Sequence, residues 1–84
     1  MPRPVPAMSD PEMIALVGRA LFGSYWRERL ADVLQISERS VRRYADGVCE
    51  IPNNVRKQLL ILLERYIQEL TNEAYRLRYS ILPS

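Results

Sequence analysis

With 84 residues, 48% of them apolar and 26% charged, the chain has room for one small domain. A domain of this size buries only about 60% of the surface its unfolded form exposes, so its core is thin and a partner would help it. The chain has no His and a single Cys, which removes Ser–His and Cys–His pairs, His metal ligands, the usual general base at neutral pH and any internal disulfide. No enzyme, cofactor or metal is expected from such a composition. No apolar run approaches the ~18 residues of a membrane span, and MPRPVPAM lacks the apolar stretch of a secretory signal. A cytoplasmic protein with no membrane partner and no evident small-molecule ligand is expected. Gly18, Gly23 and Gly47 lie too far apart for a phosphate-binding loop. The net charge of +2 permits nucleic-acid binding, and the clustering of the charges has to decide it.

In chain order, residues 1–9 hold three of the six prolines and predict a flexible arm that cannot form a regular helix. Arg3 could reach a DNA minor groove from such an arm, but the expectation is an untethered tail. The domain proper is expected over 10–84. Asp10-Pro11-Glu12 reads as a helix start, with Asp10 as the capping carboxylate. Ile14, Val17, Ala20 and Leu21 then share one face at helical spacing. Gly23-Ser24 is expected to close this helix and cap a second, which carries Trp26, Leu30, Ala31 and Leu34. A third helix runs from about 38 to 46 and stops at Gly47. Pro52 and two asparagines open a last helix, expected over about 53–81. No strand pattern occurs anywhere, and the predicted fold class is all-α with about four helices.

The stretch LADVLQISERSVRRYADG, residues 30–47, carries most of the functional reading. Two helices joined by a tight turn need a small residue where their axes approach, and Ala31 suits that place. Leu30, Leu34, Ile36, Val41 and Tyr44 then point into one core. This predicts a helix-turn-helix over about 25–47, the second helix of which enters a DNA major groove. At about 100° per residue, Arg39 and Arg43 lie opposite the Val41–Tyr44 face, with Arg42 and Ser40 on the flanks. Arginines at i and i+4 suit bidentate hydrogen bonds to guanine O6 and N7. Arg39, Arg43, Arg42 and Ser40 are therefore the candidate base readers. Ser37 caps the third helix in this reading, leaving free N–H groups near a phosphate. Arg27, Arg29, Arg56 and Lys57 are the other candidate phosphate contacts.

The residues Leu30-Ala31-x-x-Leu34, Ile36-Ser37, Val41-x-Arg43-Tyr44, Gly47 and Ile51-Pro52 resemble the phage-repressor-type (Cro-like, or XRE-type) helix-turn-helix family of small bacterial and phage transcription regulators. The resemblance covers about half the chain, from Leu21 to Glu64. It implies a DNA-binding domain of four or five helices, usually a homodimer on an inverted-repeat operator in double-stranded DNA, with the third helix as reader. Two departures stand out. The turn residue, usually Gly, is Gln35, which would cost about 1 kcal/mol in a left-handed conformation. Where the family often places a phosphate-contacting Gln, this chain has Trp26-Arg27; Arg27 is expected to take that role and Trp26 to pack.

Along the last helix, Leu60, Leu63, Ile67, Leu70, Ala74, Leu77 and Ile81 alternate spacings of three and four, a heptad seam. Val55, Leu59, Leu62 and Tyr66 form a second stripe suited to cover the core. The helix outruns the other three, so the seam from Leu63 through Ile81 is expected to pair two copies of the chain. Glu73 and Arg78 would meet across a parallel seam, but the flanking charges do not choose between parallel and antiparallel pairing. Tyr75, Arg76, Arg78 and Tyr79 read as a dimer rim or solvated helix end, and Cys49 as an ordinary small residue. The composite expectation is a dimeric repressor that occludes a promoter. The competing reading is a protein-interaction module, such as an antitoxin or a phage-encoded inhibitor, that binds a partner protein through the last helix.

Overall fold

The computed structural model describes residues 7–82. Of the arm predicted over 1–9, residues 1–6, Arg3 among them, lie outside the described residues. Four α-helices follow: α1 (Asp10–Phe22), α2 (Trp26–Leu34), α3 (Glu38–Ala45) and α4 (Asn53–Ile81), with a 3₁₀ turn at Gly23–Tyr25 between the first two. The described residues contain no strand.

Local chemistry sets the boundaries, in two places differently from the expectation. Ser9 rather than Asp10 caps α1: its Oγ accepts from the Glu12 N–H at 3.4 Å. Two adjacent residues could serve as cap, and the Ser one position upstream takes it. Asp10 is thereby released for a long-range contact, since its carboxylate accepts from the Ile51 N–H at 2.8 Å and from the Arg56 guanidinium at 2.9 and 3.1 Å. The second difference is at Ser24, which does not cap α2. Gly23 turns the chain at φ 71°, and the 3₁₀ turn then feeds straight into Trp26 with no side-chain cap.

Helices α1, α2 and α3 pack pairwise against one another, and α4 packs along α1. The buried set is Ile14, Val17, Trp26, Leu30, Ala31, Leu34, Val41, Ile51, Val55 and Leu59. On α1, Leu21 is half-buried but Ala20 is exposed, because the buried arc is centred on Ile14, Val17 and Gly18 and Ala20 falls past its edge. Gly18 is the closest approach in the core: a Cβ there would lie 2.2 Å from Trp26 Cε3. A mid-helix Gly costs about 1 kcal/mol relative to Ala; here it makes room for the indole, which is 2% exposed.

The body ends well before the chain does. On α4, Val55 and Leu59 are buried, Leu62 and Leu63 pack on the edge of the core, and every residue from Ile67 to Ile81 is exposed. The last four turns or so therefore project from the body. The radius of gyration, 15.9 Å, exceeds the about 12 Å of a compact domain of this length.

Candidate nucleic-acid interface

Helix α3 is held at both ends by local hydrogen bonds. At its start, Ser37 Oγ accepts from the Ser40 N–H at 3.1 Å and shares a 2.9 Å hydrogen bond with the Ser40 hydroxyl. Just before it, Gln35 adopts φ 57°, ψ 42°, the left-handed region. The Ile36 N–H bonds back to Ala31 O, and the Gln35 N–H to Asp32 O. This six-to-one, five-to-two pair is the Schellman closure of a helix. A second such closure ends α3, with Gly47 at φ 75°, Val48 N–H to Arg43 O and Gly47 N–H to Tyr44 O. The turn between α2 and α3 is thus fixed by its own hydrogen bonds.

Val41, fully buried, pins α3 to the core, with Tyr44 and Ala45 half-buried beside it. Arg39 and Arg43 lie on the opposite, exposed face, and neither pairs with a carboxylate among the described residues. Arg42 is also exposed, but its guanidinium bonds Glu38 one turn earlier at 3.1 Å. The four nominated base readers thus differ in standing. Arg39 and Arg43 are unengaged, Arg42 is held by a surface pair of small energy, and the Ser40 hydroxyl is bonded to Ser37.

The nominated phosphate contacts divide as well. Arg29 and Lys57 are exposed and free of ion pairs among the described residues. Arg27 lies over the Trp26 ring, its Cζ 4.8 Å from the centroid. There it lines a shallow concavity with Arg19, Gly23 and Ser24. Arg19 is a cation that sequence reasoning missed, because it sits on α1 and only the turn at Gly23 brings it beside Arg27. Arg56, by contrast, is half-buried in its ion pair with Asp10. It closes α4 onto the start of α1, a structural task that the sequence reading did not foresee. The Ile51 N–H first, and then Arg56, hold the Asp10 carboxyl below the usual carboxylate range.

The nominated seam is apolar and bare over most of its length. Ile67 is 54% exposed, Leu70 51%, Leu77 59% and Ile81 66%, and Ala74 is exposed between them. Leu63 differs, being packed on the edge of the intramolecular core. Tyr75 and Tyr79 are exposed, and Arg76 pairs with Glu73 at 3.2 Å. Among the described residues, no three His, Cys, Asp or Glu side chains gather to hold a metal ion, and no helix is long and apolar enough to cross a membrane. Comparison with protein-family models, with curated proteins and with solved structures finds no match to the chain.

Proposed function

We propose that the chain is a sequence-specific DNA-binding transcriptional regulator, a homodimeric repressor on an inverted-repeat operator, with α2 and α3 as its helix-turn-helix. The observation that carries this reading is the pair Arg39 and Arg43. Two arginines one turn apart stand exposed and unpaired on the outer face of a helix whose inner face and both ends are fixed. The fixed backbone sets where both side chains start from, and with no carboxylate partner among the described residues their guanidinium forks are free for bidentate hydrogen bonds to guanine. Arg27 with Arg19, and Arg29 and Lys57, supply phosphate contacts that set register without reading sequence. The first N–H groups of α3 suit a further phosphate. The C-terminal half of α4 joins the two copies, and binding blocks a promoter.

A second reading, a protein-interaction module, draws on the same bare stripe of α4, which would then cover a different partner. The two are separated by removing charge from α3. On a selected duplex, Arg39→Ala and Arg43→Ala should each weaken specific binding by about 1–3 kcal/mol and relax the preference at one base pair. Variants that bind that duplex as tightly as the parent would remove the reader role, and attention would pass to a protein partner.

A further inference from the structure

The exposed stripe of α4 lies beside its buried one and overlaps it in part. At about 100° per residue, Val55, Leu59 and Leu63, which face the body, and Leu70, Ala74, Leu77 and Ile81, which face nothing, fall on overlapping arcs of the same helix. This shared face constrains how a second copy can be seated. From the geometry we infer that two copies pair antiparallel through residues 67–81, with the twofold axis near Asn72. The inference deepens the homodimer proposed above and rests on it.

Sterics count against the parallel arrangement. Packed helices lie 8–10 Å apart. A parallel partner lying on the 67–81 stripe would continue along the same face of α4 past Leu63 and Leu59. Leu59 and Leu63 pack on the core of the same chain there, where α4 lies against α1, so the partner would run into the body. By symmetry each body would sit where the other's helix has to run. Splaying the helices far enough to admit both bodies would pull the stripe apart. In the antiparallel arrangement, the partner helix leaves in the other direction, past Ile81 and away from the packed body of this chain.

The side chains agree with the axis at Asn72. Ile67 of one copy then faces Leu77 of the other, and Leu70 faces Ala74, a large residue on a small one at each of two equivalent layers. A parallel seam would instead set Ala74 against Ala74 and leave a void in its middle layer. At the rim, Glu64 of each copy meets Arg78 of the other. Glu73 approaches its own twin near the axis, but Arg76 already holds it at 3.2 Å. Ile81 reaches the partner's edge of the body at Leu63. The midpoints of the two packed segments, at Leu59, come to lie roughly 40 Å apart along the helix direction. That is of the same order as the about 34 Å between half-sites one DNA turn apart.

The test is a spin-label distance measured alongside the solution mass. A nitroxide is placed at Leu82→Cys in a Cys49→Ser background; Leu82 lies past the end of α4 and outside the core. The antiparallel dimer predicts a dimeric mass and labels roughly 30 Å apart. A dimeric mass with labels roughly 10 Å apart, one helix spacing, would overturn the antiparallel pairing and leave the dimer standing. A monomeric mass at every concentration, with the unlabelled parent also monomeric, would overturn the dimer itself.

Discussion

At the scale of single residues, two positions carry conformational costs that the surrounding structure accepts. Gln35 holds a left-handed backbone at φ 57° with its side chain exposed; nothing in its packing asks for glutamine. Gln35→Gly should raise stability by up to about 1 kcal/mol, or about 4–8 °C in Tm per kcal/mol for a domain of this size. A lower Tm in thermal denaturation would mean that the Gln side chain itself supports the turn. Gly18 is the reverse case. Gly18→Ala should gain about 1 kcal/mol in helix propensity, but its Cβ would meet the Trp26 ring at 2.2 Å. Overpacking of this kind costs about 1–3 kcal/mol, and Trp26 cannot swing outward without opening the core. The expected result is a net loss of stability with a shift in Trp fluorescence. An unchanged Tm and spectrum would contradict the close packing.

At the scale of elements, the helices and the residues that mark their ends were largely legible, and the contacts between helices were not. Leu30, Leu34 and Val41 announce their buried faces by period, and Ser37 and Gly47 announce caps by residue type; both signals are local. The α1 start was read one residue too late because Ser9 and Asp10 are equally good caps and only a distant partner separates them. That partner is Arg56, 46 positions along the chain, with the Ile51 N–H beside it. No window of sequence contains such a pairing, and for the same reason Gly18 gave no hint of Trp26. At the proposed site, the arginine stripe on α3 was visible from spacing, whereas Arg19 beside Arg27 and the diversion of Arg56 into the fold needed the tertiary turn.

The clasp of Asp10 on Ile51 and Arg56 makes a prediction about acid. Its carboxyl has a lower pKa folded than unfolded, so the unfolded chain binds the proton more readily. The stabilisation is therefore fully present above the unfolded value, near 3.9, and is lost as pH falls through the folded one. Unfolding followed against pH should show the parent losing stability below about pH 4 more steeply than an Asp10→Asn variant. The variant should also be the less stable of the two at neutral pH. Parallel curves for the two proteins would remove the clasp from the account.

For the whole molecule, a small body and a long helix divide the work. The body, closed by Ile14, Trp26, Leu30, Val41 and Leu59, presents α3 with Arg39 and Arg43 outward, and α4 carries an apolar face away from it. A face of that kind left open in water is a liability; in the proposed dimer a second copy covers it and sets the spacing between two readers. The proposed function depends on both halves acting together. Selection of the purified protein on a random duplex library, with its mass measured in solution, tests that union most directly. The account predicts a dimer that enriches an inverted repeat with half-sites about one helical turn apart. A folded dimer that enriches no sequence would contradict it.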